Sequence, residues 1–566
     1  MLKHKLNRRR FLQGAALGVA AVLAAACKPE VIVETVVKEV EKVVKETVVV
    51  EGEVQVVEKV VRETVIVEKE AEAPVGFQGT IGYHTRIPPQ ISTGPGVPTR
   101  MVPQVLANSW EVMHPGVKIE FTTAPGGQAL TDWMNTQLVG GTGPDIFDVN
   151  PITQTIYVDQ GKVLPLNDWM EMPNKYTDDP TPWKKTFRPP FEDSVTTRSV
   201  KGLYGCAPLA MVSTGIFCNV DMMAEVGIDL DTALDRDLSS PPTWAEWMDW
   251  HDAILDAGYE AMHDGGYGVK DWWGWGVLSD QLLWRYRESL DKLNYHDNLS
   301  MQSQETIVSL EEISHAYWCL DWDPWSEPEV LEMFYILKDW CSRMIQGFIN
   351  VPASDAMDMF MTGNLAMIWN GSWAIQNLLT DNRRDFQFSS FWLPPVTKET
   401  SEYVQDPPIL PIGIGGYGTN SLSLHHATTR RGNVEECIDW LMFLTEPKNN
   451  EMLMNEVPSM VPSQRKANAL PEIQNLFVSI ERGEPWGHQG HVVWSPPRWF
   501  GDQNWFPRFL RACDLYWLDE MSLEDTLVDI RALTESVAPD FLRSSSVQYT
   551  DGAEWDLTQW ECNPDV

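Results

Sequence analysis

The residues of this chain best equipped for chemistry are its tryptophans, 26 of them against 19 Phe and 14 Tyr. Within Met359 to Leu378, the run Trp369-Asn370-Gly371-Ser372-Trp373 sets two indoles on either side of a tight turn. The turn's Asn, Ser and backbone N–H groups border an apolar plane. That combination suits a sugar ring, which pairs an apolar C–H face with polar hydroxyl edges. The same residues would also serve as a buried aromatic pair sealing a lobe. A second tract, Asp271-Trp272-Trp273-Gly274-Trp275-Gly276 followed by Trp284-Arg285-Tyr286, either extends a stacking platform through Trp275 and its neighbours or packs a core; packing is the favoured reading.

Other chemistries find less support. His425-His426 and His488-Gln489-Gly490-His491 lack the helical i, i+4 spacing with a Glu between them that a zinc hydrolase needs, and no two cysteines are spaced Cys-x-x-Cys. Seven cysteines follow Cys27, an odd number, so no full disulfide framework is expected. Asp229, Asp231, Asp235 and Asp237 lack the central Gly and closing Glu of a calcium loop. Gly140-Gly-Thr-Gly-Pro-Asp145 lacks the Gly-Lys-Ser/Thr ending of a phosphate cradle, and it precedes a strand, not a helix. No metal, nucleotide or other cofactor is expected. A glycosidase needs two carboxylates a few ångströms apart, and among 80 acidic residues a sequence cannot single out such a pair.

The elements that would position these residues alternate. Gly79 to His84 reads as a short buried strand ending at Thr85 and Arg86, Met101 to Glu111 as an amphipathic helix, and Val117 to Thr122 as a strand. Leu130 to Val139 is the next helix, and the glycine run leads into a strand carrying Asp148 and Asn150. Alternation of this kind predicts an α/β body with a mostly parallel sheet, and ligands gather at the C-terminal ends of such strands. Asp148 and Asn150 fall there, although they would equally cap a following helix. Met359 to Leu378 reads as helix, break at Gly363-Asn364, strand, and second helix capped by Gly371-Ser372.

At 566 residues the chain exceeds what one core usually fills, so two or more lobes are expected. Its net charge of −37 repels nucleic-acid phosphates and argues against charge-driven adsorption to an anionic membrane. The basic residues of the first 26 positions lie in a leader. Arg8, Arg9, Phe11 and Leu12 precede an apolar run, Ala15 to Ala26, that is too short to span a bilayer and ends at Cys27. The arrangement resembles a twin-arginine signal joined to a lipoprotein cleavage box, with Asn7 and the Ala three residues before Cys27 departing from the usual pattern. It predicts acylation of Cys27 and an extracytoplasmic protein anchored by lipid. Beyond it, EKVVKETVVVE at 41–51 recurs as EKVVRETVIVE at 58–68. This low-complexity tether could form a marginal helix, which its β-branched content disfavours, a strand, or a self-associating valine stripe. A plain spacer is the reading taken.

Motifs along the globular part resemble one family. Gly143-Pro-Asp-Ile-Phe147, Gly161-Lys-Val-Leu-Pro-Leu166, Lys201-Gly-Leu-Tyr-Gly205 with Pro208, and Phe217-Cys-Asn-Val-Asp221 before Gly227-Ile228 come in order. Pro242-Thr-Trp-Ala-Glu246, Cys437 to Leu453 and Val461-Pro-Ser463 continue the series. Together they are similar to the family-1 extracellular solute-binding proteins of ATP-driven importers, the maltose-binding type. The resemblance implies a type II periplasmic-binding-protein-like fold of two α/β lobes closing on a ligand in a cleft. The first lobe would comprise 76–208 and 394–462, the second 209–393 and 463–545. The signal would occupy 1–26, the tether 27–75 and a tail 546–566. It further implies a sugar-stacking role for Trp373 and for Trp505, a cleft-lining strand at Gly416 and Tyr417, and a first-lobe wall holding Thr85, Arg86, Asp148 and Asn150. Trp369 and Trp275 complete the candidate set. The implied function is capture of a carbohydrate, which the abundant Trp and the enlarged second lobe make an oligosaccharide, for delivery to the importer's permease subunits, with no enzymatic activity. A polyol phosphate bound by the same fold and a secreted carbohydrate hydrolase are the alternatives.

Overall fold

The computed structural model describes residues 33–50, 53–70, 77–93, 98–125, 128–149, 157–158, 160–188, 204–211, 214–235, 240–290, 308, 310–408, 420–456, 460–470, 495–501 and 504–549. The chain divides into an N-terminal unit, Met1–Gly76, and a main body, Phe77–Val566.

In the N-terminal unit the repeated segments pair with each other. Strand β1 (Val33–Val50) and β2 (Glu53–Glu70) form an antiparallel two-stranded ribbon with an unbroken register that sets Glu41 opposite Arg62 and Lys45 opposite Glu58. Of the forms open to the tether, the strand prevails. Valine's β-branched side chain loses rotamer freedom in a helix and suits extended backbone.

The main body contains two sheets. The first has six strands, in the order β12-β6-β11-β5-β3-β4: β3 (Gly79–His84), β4 (Val117–Phe121), β5 (Ile146–Val149), β6 (Ala207–Met211), β11 (Asn420–Leu424) and β12 (Val461–Pro462). Strands β3, β4 and β5 are parallel, whereas β11 runs antiparallel to both β5 and β6, and β12 antiparallel to β6. The sheet is therefore mixed, not mostly parallel as the alternating pattern predicts, because β11 and β12 return late in the chain. The second sheet has the order β10-β7-β9-β8, from β7 (Thr214–Asn219), β8 (Met262–His263), β9 (Met367–Gly371) and β10 (Phe388–Phe391).

The recurring motifs turn out to be fasteners within these lobes. The Asp145 carboxylate accepts from the Gly82 N–H at 2.8 Å and from Arg431 at 2.6 Å, while Arg431 also donates to the carbonyls of Gly141 and Gly143. Asn219 caps the next helix by accepting from the N–H groups of Asp221 and Met222. Thr243 caps the helix Trp244–Asp256 through Glu246 N–H, a contribution of about 1 kcal/mol for a cap of this kind. Ser463 donates to the Pro208 carbonyl at 2.8 Å and so holds β12 beside β6.

Segments on either side of the proposed crossings shift the lobe boundaries. Trp244 N–H donates to the Pro395 carbonyl, Val396 N–H to Gln281, and Trp284 Nε1 to the Tyr403 carbonyl, so residues 394–404 belong to the second lobe. Arg465 N–H donates to the Thr186 carbonyl, and Arg188 N–H to that of Ser463, so residues 460–467 belong to the first. Residues 495–549 then pack on the second lobe: Trp325 lies against Trp499 and Trp505, and Trp275 against Phe509 and Trp517. The final helix, Leu523–Tyr549, extends past 545 into the stretch assigned to a tail.

Cys319 is disulfide-bonded, whereas Cys206, Cys218, Cys341, Cys437 and Cys513 are free and buried. No helix among the described residues is long and apolar enough to cross a membrane.

Candidate functional site

Strand directions bring the candidate residues to one side of the molecule. Because β11 is antiparallel to both β5 and β6, β5 and β6 are parallel, and β3 is parallel to β5. The C-terminal ends of β3, β5 and β6 therefore point the same way. Strand β6 ends at Met211 and the next strand, β7 of the second sheet, begins at Thr214, which pairs with Gly371 at the end of β9, so this end of the first sheet is the crossover side. His84 to Arg86, Asp148 and the turn bearing Trp373 thus all lie on the crossover side, where the two lobes meet.

The first-lobe wall begins where β3 ends. Ile81 and Tyr83 point into the core, and the chain leaves the strand at His84, Thr85 and Arg86. These three residues, with Phe121, Thr122 and Leu130, line a cavity of about 740 Å³. Thr85 Oγ1 accepts from Ile87 N–H and so fixes the turn. Asp148 lies beneath, its side chain 0% exposed, with Oδ1 3.1 Å from Nε of Arg86, whose side chain is 43% exposed. Burial pushes the Asp148 carboxyl up to about 7, while the Arg86 guanidinium pulls it back. Burial and the same Arg86 charge hold His84 down at about 4, a neutral imidazole at ordinary pH. The His84 ring also lies 6.3 Å from that of Trp133.

The second-lobe wall is aromatic. Trp373 is 40% exposed, the exception among the candidate tryptophans. Its ring folds back over Gly371, where a Cβ would come within 2.2 Å of ring carbons, so the turn needs glycine for this packing. Trp373 meets Tyr267 (centroids 6.2 Å, 78°) and Trp273 (6.1 Å, 64°) edge on, and Tyr267 stacks on Trp273 at 4.2 Å and 16°. The loop Asp264-Gly-Gly-Tyr-Gly268 presents Tyr267. Within it the buried Asp264 carboxylate accepts from Gly266 N–H at 2.8 Å and Val269 N–H at 3.2 Å, and His263 Nδ1 accepts from Gly265 N–H. Gly265 has φ +65°, and a Cβ there would lie 1.9 Å from the Trp369 carbonyl oxygen.

Three candidates are corrected. Trp369 is 0% exposed, held between Trp273 and Trp340. Trp275 is enclosed by Phe334, Phe509 and Trp517. Trp505 is buried among Trp325, Phe500 and Phe509, its Nε1 donating to the Pro496 carbonyl. A fully buried indole has no face to offer a ligand, so these three build the core that carries the platform. Asn150, Gly416, Tyr417, Cys27, Arg8 and Arg9 lie outside the described residues. Sequence reasoning missed Tyr267, His84 and Trp133; the Gly-Gly-Tyr-Gly run was the available signal for Tyr267.

A family model for the bacterial extracellular solute-binding proteins matches residues 99–449, more than half of the chain. The chain belongs to this family. It is an exported, extracytoplasmic family of substrate-binding proteins, not of enzymes, which removes the hydrolase alternative. No curated protein sequence matches this solute-binding protein. Among solved structures it is similar to RafE in complex with raffinose (16% identity, TM-score 0.52, covering 80% of this chain and 98% of that one). It is similar also to the binding protein MsmE from Bacillus subtilis subsp. subtilis str. 168 in an open conformation (13%, 0.54, 83% and 99%). A third is a probable secreted solute-binding lipoprotein from Streptomyces coelicolor (16%, 0.52, 81% and 99%). At these identities the likeness speaks for the fold, the two-lobed α/β type II architecture.

Proposed function

We propose that this solute-binding protein captures a carbohydrate, an oligosaccharide in preference to a single ring, between its lobes and delivers it to an ATP-driven importer, held at the membrane by acylated Cys27. The observation that carries the reading is the pairing of walls on the crossover side. One side offers a half-exposed indole set on a Tyr267–Trp273 stack; the other offers Thr85, Arg86 and Asp148. Sugars need both surfaces, because apolar ring faces gain from aromatic contact while hydroxyls need buried hydrogen-bonding partners. RafE bound to raffinose shares the fold and supports the same class of ligand.

Arg86 bears on the phosphate alternative. A phosphorylated polyol calls for several cations, and Arg86 already faces the Asp148 carboxylate. Closure would bury the ligand between the walls, and the ligand's extra contacts in the closed form would supply the bias toward it.

A thermal-shift screen of the protein against neutral mono-, di- and trisaccharides and a glycerophosphodiester tests the proposal. Stabilisation should follow RT ln(1 + [L]/Kd) for at least one oligosaccharide. A shift with the phosphodiester and with no sugar would replace the carbohydrate reading.

A further inference from the structure

The N-terminal ribbon is long, with 18 residues in each strand, and among the described residues its sheet has two strands, so one edge of each strand carries backbone N–H and C=O groups that no third described strand meets. A lone two-stranded hairpin is marginally stable in water, and a long open edge is a template for another chain. The repeat indicates which chain. Its two copies are offset by 17 residues, and β1 pairs with β2 so that Glu41 opposes Arg62, Val43 opposes Val60 and Lys45 opposes Glu58. Arg62 is the counterpart of Lys45 in the repeat, and Glu58 is the counterpart of Glu41. The ribbon is therefore one repeat unit pairing antiparallel with a near-identical unit, with opposite charges matched across the strands.

That pairing does not require the two units to share a chain. Setting the β1 of a second copy antiparallel beside the open edge of β1, in the register shifted back by 17 residues, places Glu41 against Lys45, Val43 against its own equivalent, and Val37 against Val49. No like charges are opposed. The arrangement is two-fold symmetric about Val43, the self-complementary geometry of an isologous contact. We infer that the tether pairs edge to edge with the tether of a second copy of this protein, β1 against β1 about Val43, so that neighbouring binding proteins are linked through their stalks and not through their acidic bodies.

Cysteine cross-linking in the full chain tests the register. Residues directly opposite in an antiparallel pair have Cα separations of about 4.5 to 5.5 Å, within disulfide reach. Val43→Cys should give a covalent dimer on mild oxidation, at least about tenfold above the unsubstituted chain. Val37→Cys and Val49→Cys should each remain at that background alone, yet cross-link to each other when the two variant chains are mixed. Cross-linking of Val37→Cys or Val49→Cys alone as efficiently as Val43→Cys, or no dimer above background from Val43→Cys, would overturn the proposal. Sedimentation of the unsubstituted chain supplies a readout free of thiols: a dimer mass supports the pairing, and a monomer at every accessible concentration refutes it.

Discussion

Trp373 differs from the other tryptophans of its neighbourhood in one respect, an accessible face. Trp369, four residues earlier, is fully buried with Trp273 and Trp340 against it, whereas Trp373 packs over Gly371 and stays 40% exposed. Removal of the indole should therefore cost ligand, not fold. Trp373→Ala is expected to weaken sugar affinity at least tenfold, about 1.4 kcal/mol, while thermal unfolding without ligand stays within a degree or two of wild type. A large loss of stability would return Trp373 to the core. Trp369→Ala should do the opposite, losing about 3 to 5 kcal/mol of stability, as measured by denaturant unfolding.

The buried pair across the first-lobe wall makes a second prediction, with a sign. The Asp148 carboxyl, raised to about 7, takes up a proton in the folded protein that the unfolded chain does not hold, so its contribution to stability falls as pH rises toward 7. His84, lowered to about 4, behaves inversely: its contribution is full above its ordinary value of 6.5 and is lost as pH falls toward 4. Between about 4 and 6.5 the two slopes oppose each other. Asp148→Asn should uncover a stability that rises with pH across that window, and His84→Gln one that falls, each read as melting temperature against pH. The same slope in both variants would exclude this assignment of the two groups.

At the scale of elements, the sequence pattern is most legible where one period dominates. The helix at Val102–Met113 and the strands at Gly79–His84 and Val117–Phe121 fall within two residues of their expected bounds. The helix, glycine break and strand around Trp369 also stand as read, with Gly363 in the left-handed region at φ +71°. Gly371 occupies the N-cap position of the turn that carries Trp373, and no side-chain cap hydrogen bond is made there. What the pattern could not carry was the partner on the far side. The mixed direction of the first sheet depends on strands near residues 420 and 461 returning to it, and the burial of Trp275 and Trp505 depends on helices that meet only after folding. Tyr267 shows the same limit. Its orientation is set by a loop whose geometry rests on Asp264 and on Gly265 pressed against the Trp369 carbonyl. Gly265→Ala should destabilise the second lobe by about 1 to 3 kcal/mol and weaken sugar binding as Tyr267 moves, measured by unfolding and titration of one preparation. Binding at wild-type strength in that variant would detach Tyr267 from the site.

For the whole molecule, the proposed attachment is a lipid anchor at Cys27. The anchor is tested by fractionation: Cys27→Ser should move the exported protein from the membrane to the soluble fraction, and unchanged membrane association would mean some other attachment. The central claim, that a sugar is held between these walls, is tested most directly by calorimetric titration of wild type and Trp373→Ala with the oligosaccharide that gives the largest thermal shift. One site per chain in wild type and at least tenfold weaker binding in the variant are the expected results; equal affinity in both, or no heat from any sugar, would contradict a sugar held between these walls.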